Sequence, residues 1–83
     1  MKVSLDISYY PIGTEHVSLI FDFIGRLKQY EDITVQTNGL STQIFGEYDT
    51  IMEILKSEIH KSFELSNSVF VIKIVNIDQS HWK

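Results

Sequence analysis

The residue types that most often carry metal binding are few in this sequence and widely spaced. The three histidines are His16, His60 and His81, and the chain has no cysteine. A zinc site needs three or four such ligands close together, and no two of these histidines stand at the i, i+4 spacing that places ligands on one helix face. The sequence therefore predicts no metal site and no resident cofactor.

Motifs for covalent and acid–base chemistry are missing as well. No serine sits in a glycine-flanked nucleophile elbow, and the acidic residues form no pair assignable as acid and base. The four glycines are isolated, so none forms a phosphate-binding loop. We therefore predict a binding module without catalytic residues. An enzyme of another type is an alternative, and it would require a strongly perturbed ionisable group in a cleft.

Two polar segments with turn-forming residues stand out, and regular elements must position them. Residues 8–13 read Ser-Tyr-Tyr-Pro-Ile-Gly, and residues 37–46 read Thr-Asn-Gly-Leu-Ser-Thr-Gln-Ile-Phe-Gly. Residues 3–9 alternate between apolar and polar, which predicts a half-buried strand ending at Pro11. Residues 33–37 and 40–45 predict two further strands, joined at Asn38-Gly39, a strong hairpin signal. The nearly continuous apolar run 69–75 predicts a fourth strand.

Two amphipathic helices separate these strands. The first is predicted from Thr14 to about Tyr30, and the second begins after a cap at Asp49 or Thr50. The predicted core stripe of the first helix is Val17, Ile20, Phe21, Ile24 and Leu27. Leu19 and Phe23 lie beside it as an i, i+4 pair, which either widens the apolar face or forms a patch for another surface. The apolar positions of the second are Tyr48, Ile51, Met52, Leu55, Ile59 and Phe63.

The element order β-α-β-β-α-β predicts an α+β, ferredoxin-like fold, with a four-stranded antiparallel sheet and both helices on one face. We predict a single domain over residues 1–83, with its core at about 3–76 and a short C-terminal tail. By alternation the helix-free face carries Ser4, Asp6, Ser8 and Tyr10 from the first strand and Val69, Val71, Lys73 and Val75 from the fourth. Such a mixed surface suits a partner or a ligand.

Charge and hydropathy exclude some classes of protein. A net charge of −4 and the absence of a basic cluster argue against nucleic-acid binding. No apolar run approaches the roughly 20 residues needed to span a bilayer, so no membrane association is predicted. The first residues lack the apolar core of a secretion signal, and we expect a cytoplasmic protein.

The two polar segments, taken in order with the elements between them, carry a resemblance. A strand ending in Ser-x-Tyr-Pro before a helix, followed by an Asn-Gly-x-Ser-Thr-x-x-x-Gly hairpin and an acidic helix start, resembles the thiamine-binding YkoF-like family over residues 3 to about 76. The resemblance implies non-catalytic binding of thiamine or its hydroxymethylpyrimidine part, in vitamin uptake, salvage or sensing. It also implies that Ser8, Tyr10, Asn38, Ser41, Thr42 and Gln43 line or support the pocket.

The chemistry of such a ligand agrees with these residue types. An aminopyrimidine needs hydroxyl, amide or backbone partners once it is desolvated, and Asn38, Ser41, Thr42 and Gln43 supply them. A thiazolium cation needs a carboxylate or an aromatic face, for which Asp6 and Tyr10 are the candidates. Alternatively, these residues serve only turns and strands, and Asp6 pairs with Lys73 across adjacent strands.

The exposed sheet face also predicts self-association. Three valines on the fourth strand would lie in water in a monomer, and a two-fold contact would bury them. We therefore expect a homodimer or homotetramer. The rival to ligand binding is a protein-interaction or regulatory module without a small-molecule pocket.

Overall fold

The computed structural model describes residues 1–13 and 16–81, and these form one antiparallel sheet with two helices. In chain order the elements are β1 (Lys2–Pro11), α1 (His16–Leu27), β2 (Thr34–Thr37), β3 (Thr42–Glu47), α2 (Tyr48–Leu65) and β4 (Ser68–Val75). The strand order is β2-β3-β1-β4, so β1 and β3 are central and β2 and β4 are edges. The predicted ferredoxin-like α+β fold is confirmed.

Strand register divides the sheet into a helix-covered face and an open face. Leu5 pairs with Ile44 of β3 and Ile74 of β4, and this row faces the helices. Asp6 pairs with Gln43 and Lys73, and this row lies on the opposite, open face because neighbouring residues of a strand alternate. The predicted assignment of the even-numbered β1 residues to the open face is therefore confirmed.

An aromatic cluster anchors α1 against the sheet. The rings of Tyr9 and Phe70 stack with centroids 4.5 Å apart, and Phe23 packs on both at 5.2 and 5.3 Å. Such aromatic pairs stabilise the folded state beyond the contribution from the apolar area that they bury. Because Phe23 lies on α1, this contact sets the rotation of the helix.

The predicted core stripe of α1 is wrong in part. Phe23 and Leu27 are buried and Leu19 packs against the core, whereas Val17 and Phe21 are 66% and 67% exposed. The apolar residues of α1 span more than one face, so periodicity alone fits two rotations of the helix. Contacts of Phe23 with β1 and β4 select the observed one. Leu19 and Phe23 therefore extend the core face, which is the first of their two predicted alternatives, and form no separate surface patch.

Two turns also differ from the predictions. The β2–β3 hairpin pairs Thr37 with Thr42, so its loop has the four residues 38–41 rather than the two of Asn38-Gly39. Helix α2 begins at Tyr48 with Glu47 as N-cap and no side-chain cap, instead of a cap at Asp49 or Thr50. The backbone N–H of Tyr48 donates to the carbonyl of Met1 at 2.9 Å, which ties the helix start to β1.

A buried polar network joins the two helices on the side away from the sheet's open face. Arg26 Nε of α1 donates to Glu58 Oε1 of α2 at 2.7 Å, and Tyr30 Oη donates to Glu58 Oε2 at 2.6 Å. Arg26 Nη2 also donates to Ser62 Oγ at 2.7 Å. Glu58 is only 3% exposed, so these bonds replace the water that its charge loses on burial.

Within the described residues, neither α1 nor α2 combines the length and hydropathy required of a membrane-crossing helix.

Candidate functional site

A cavity of about 590 Å³ lies on the open face of the sheet. Its polar lining comes from Asp6, Gln36, Gln43 and Lys73, one residue from each of the four strands. Phe45 and Val75 contribute apolar surface, and Ser4 and Gln79 close one end. The volume and the mixture of apolar surface with a few polar groups are typical of a small-molecule site.

Strand pairing produces the polar row across the cavity. Asp6 of β1 lies opposite both Gln43 of β3 and Lys73 of β4, and Gln43 in turn lies opposite Gln36 of β2. Directly opposed residues of antiparallel strands share a face, with Cβ atoms about 5 Å apart. Four separate segments of sequence therefore present one continuous line of hydrogen-bonding groups.

The Asp6 carboxylate is held by two donors on the same oxygen. Ser41 Oγ donates to Asp6 Oδ1 at 2.5 Å, and Gln43 Nε2 donates to the same atom at 2.8 Å. Gln43 Nε2 also donates to Ser41 Oγ at 2.9 Å, which closes a three-residue network. Within the described part of the chain, Asp6 Oδ2 accepts no hydrogen bond, which leaves it free for an external donor.

These contacts keep Asp6 ionised. The hydrogen bond from Ser41 lowers the pKa of the carboxyl group, and Gln43 and the charge of Lys73 lower it further against the opposing effect of burial. The net result is a pKa below the ordinary aspartate value, so the group is an anion at neutral pH.

The hairpin loop positions Ser41 through Asn38. Asn38 Oδ1 accepts from the backbone N–H groups of Leu40 at 2.8 Å and Ser41 at 3.1 Å, an arrangement that asparagine side chains favour in turns. Asn38 N–H also donates to the carbonyl of Ser41 at 3.1 Å. Asn38 is thus occupied with the turn and supports the site by fixing Ser41.

Two further residues predicted for the site lie on the open face but outside the cavity. Ser8 and Tyr10 share the open face with Asp6, further along β1 and opposite Val71 and Val69. Neither lines the cavity beside Asp6. Tyr10 is 54% exposed and available to a ligand that extends past Ser8.

Among the predicted site residues, Thr42 lies on the helix-covered face of the sheet, opposite to the face that carries Asp6. It pairs with Ile7 and is buried on the helix-covered side, where its hydroxyl lies 3.1 Å from that of Thr37. Its neighbours Ser41 and Gln43 reach the open face because side chains alternate along a strand. The cavity that Asp6 and Gln43 line on the open face therefore excludes the side chain of Thr42.

Several residues that line the cavity were not predicted for the site, among them Ser4, Gln36, Phe45 and Gln79. Gln36 and Phe45 could have been found from strand alternation once the hairpin register was known. Alternation did place Ser4 on the open face, whereas Gln79 gave no such signal because the tail that carries it has no periodicity. A metal centre is not indicated: across residues 1–13 and 16–81, no three metal-ligating side chains of His, Asp or Glu cluster together.

The fold and the open-face cavity together define a ferredoxin-like domain with a candidate small-molecule site. The sequence matches no protein-family model and no curated protein. Several solved structures are similar to this chain in fold. Protein SP2199 from Streptococcus pneumoniae superposes with a TM-score of 0.87 at 24% identity, over 99% of this chain and 93% of that one.

Two further solved structures share the fold. A Thermotoga maritima protein, TM0486, assigned provisionally to thiamine biosynthesis or salvage, has a TM-score of 0.84 at 18% identity, covering 93% of this chain and 85% of that one. A domain of unknown function, DUF77, from Bacillus cereus has a TM-score of 0.78 at 19% identity, covering 99% and 88%. At these identities the likeness is one of fold.

Proposed function

We propose that this protein binds thiamine or its hydroxymethylpyrimidine part in the open-face cavity and does not convert it chemically. The observation that carries the proposal is the Asp6 carboxylate, whose Oδ1 is fixed by Ser41 and Gln43 while Oδ2 has no donor among the described residues. An exocyclic amine on a pyrimidine is a donor suited to such an oxygen, and a hydrogen bond to a charged acceptor is among the stronger kinds.

The remaining cavity groups match the rest of a pyrimidine. Gln36 and Lys73 offer donors for ring nitrogens, and Phe45 offers an apolar contact for the ring itself. Asp6 and Lys73 have opposite charges, so their row is nearly neutral overall and suits the uncharged pyrimidine. The thiazolium cation would then extend along β1 toward the exposed ring of Tyr10.

Two similarities support a thiamine-related ligand over other planar heterocycles. The sequence resembles the YkoF-like family in its two polar segments, and the fold is shared with the Thermotoga maritima protein provisionally assigned to thiamine biosynthesis or salvage. A role in uptake, salvage or sensing of the vitamin in the cytoplasm follows from a binding protein of this kind.

Calorimetric titration with thiamine, hydroxymethylpyrimidine and thiamine diphosphate tests the proposal. We expect heat of binding for the first two and weaker binding of the diphosphate, because no basic cluster is available for its phosphates. Asp6→Ala should abolish the signal. Absence of heat from all three ligands at millimolar concentration would reject thiamine-type binding.

A second candidate function, protein interaction, is favoured by the exposure of β4. This edge strand leaves Val71 half exposed on the open face and Ile72 and Ile74 more than 40% exposed on the other. An edge with free backbone groups and apolar side chains on both faces is a ready surface for another strand. We propose that two or four copies of the chain associate through β4, whether or not a ligand is bound.

A further inference from the structure

We propose that the segment after β4, residues 76–80, is a movable wall of the cavity that Ser4 holds closed, so that release of this wall controls ligand exchange. The inference rests on the proposed function, because it concerns the same cavity. We call residues 76–80 the C-terminal strap.

Ser4 makes both contacts that attach the strap. Its Oγ donates to the carbonyl of Ile77 at 2.7 Å and accepts from the backbone N–H of Gln79 at 2.7 Å. Within the described residues, no other hydrogen bond joins the strap to the sheet or the helices. A bond from Ser80 N–H to Asp78 Oδ1, at 2.9 Å, is internal to the strap.

The position of Ser4 makes this attachment specific. Ser4 lies in the central strand β1, on the open face, and is only 7% exposed. Its hydroxyl uses its donor and an acceptor lone pair on two backbone groups of the strap. A methyl group at this position can replace neither bond, so among the described residues both hydrogen bonds from the strap to the sheet depend on this one side chain.

The strap borders the apolar end of the cavity. Phe45 pairs with Ser4 and lies on the open face, yet it is only 9% exposed. Phe45, Gln79 and Ser4 line the same end of the cavity, two residues along β1 from Asp6, a distance of about 7 Å. A ligand bonded to Asp6 and packed on Phe45 would therefore be enclosed by the strap.

Local opening of the strap requires little disruption of the fold. Residues 76–80 belong to no helix or strand, and their release breaks two hydrogen bonds without disturbing strand pairing. Segments with so few attachments open far more often than the whole protein unfolds. The strap can thus admit and release a ligand while the sheet stays intact.

Amide hydrogen exchange in the ligand-free protein tests the attachment. We expect the Gln79 amide to be protected in the wild type and to exchange at least tenfold faster in Ser4→Ala. Ser62→Ala is the matched control, because Ser62 is a fully buried serine in the helix network, remote from the strap. Equal exchange at Gln79 in the wild type and Ser4→Ala would overturn the inference.

Dissociation rates of hydroxymethylpyrimidine, measured by competition, test the control of exchange. We expect at least a tenfold faster rate in Ser4→Ala and in Gln79→Pro, which removes the strap's N–H donor without touching the core. Ser62→Ala, in the helix network and remote from the cavity, should release ligand within threefold of the wild-type rate. Unchanged rates in both Ser4→Ala and Gln79→Pro, with faster amide exchange, would show a strap that opens without controlling release. If the wild type does not bind the ligand, the proposed function is rejected, and control of ligand release by the strap is rejected with it. Amide hydrogen exchange would then still report whether Ser4 holds the strap.

Discussion

Asp6 and Lys73 lie directly opposite each other on β1 and β4, yet the hydrogen bonds of the Asp6 carboxylate come from the β3 side, from Ser41 and Gln43. Lys73 acts on Asp6 through its charge, which helps to lower the pKa of the carboxyl group. The predicted Asp6–Lys73 partnership is thus electrostatic, and the geometry of the carboxylate is set by the hairpin.

Ligand binding should depend on the charge of Asp6. The pKa of Asp6 is lowered in the folded protein, so the carboxylate stays ionised above the ordinary value of about 4 and is protonated only as the pH falls through its lower folded value. We therefore expect Asp6 to contribute fully to affinity for hydroxymethylpyrimidine from pH 5 to 8 and to lose this contribution only in more acidic solution. Calorimetric titrations within this range and below pH 5 measure the effect. Asp6→Asn should weaken binding at least about tenfold, because a charged acceptor is replaced by a neutral one. Asp49→Asn on α2 is the control, and equal losses in both variants would contradict a specific role for Asp6.

Ser41 and Thr42 should separate binding from stability. Ser41→Ala removes a donor to Asp6 and should weaken ligand binding by about 1–3 kcal/mol. Thr42→Val removes a buried hydroxyl on the other face and should lower the free energy of unfolding by about 1 kcal/mol with ligand affinity unchanged. Calorimetric titration and urea unfolding of the two variants measure these effects. A larger loss of affinity in Thr42→Val than in Ser41→Ala would contradict a site on the open face, because Thr42 lies on the helix-covered face.

The Arg26–Glu58 pair should make stability sensitive to acid. Burial raises the pKa of Glu58, but hydrogen bonds from Tyr30 and Arg26 more than offset this, and the pKa is lowered overall. A carboxyl group with a lowered folded pKa contributes stability above its unfolded pKa and loses it as the pH falls through the folded value. We expect Glu58→Gln to cost on the order of 3 kcal/mol at pH 7, because Arg26 loses its buried partner.

Glu58→Gln should also reduce the loss of the free energy of unfolding that the wild type shows as the pH falls. Thermal unfolding from pH 7 to pH 3 measures it, since Glu58→Gln has no carboxyl group to protonate at this position. Asp22→Asn is the matched control: Asp22 also accepts a hydrogen bond from Arg26 but its side chain is 51% exposed, so its loss should cost less than about 1 kcal/mol. Similar costs for both variants would argue against a stabilising role specific to Glu58.

Association through β4 should respond to a charge on the edge strand. Light scattering after size exclusion at micromolar concentration should give a mass of at least twice 9.6 kDa. Val71→Asp should reduce it to that of a single chain, because an unpaired carboxylate would enter an apolar contact. Val17→Asp, at an even more exposed apolar position on α1, should leave the mass unchanged. A single-chain mass for the wild type throughout would exclude assembly under these conditions.

Local sequence patterns determined the elements and the two faces of the sheet. Alternation over residues 3–9 assigned Val3 and Leu5 to the core and Asp6 to the open face, and the register of β1 with β3 and β4 agrees. Such patterns succeed because a strand has a fixed two-residue period, so one buried side chain assigns all the others.

Tertiary contacts decided the rotation of α1 and the turn between β2 and β3. Phe23 rather than Phe21 faces the sheet because it completes the cluster with Tyr9 and Phe70, which are distant in sequence. The hairpin loop has four residues because Asn38 bonds two backbone groups beyond Gly39. In both cases the sequence allowed two local solutions, and contacts elsewhere selected one.

The site shows the same division. Residue types and alternation identified Asp6, Ser41 and Gln43 as candidates, but only the hairpin register brings them onto one carboxylate oxygen. The same alternation turns Thr42 away, although it stands between two of them. Ser4 and Gln79 are 75 residues apart and meet only because the chain after β4 crosses the open face, a contact that no periodic pattern encodes.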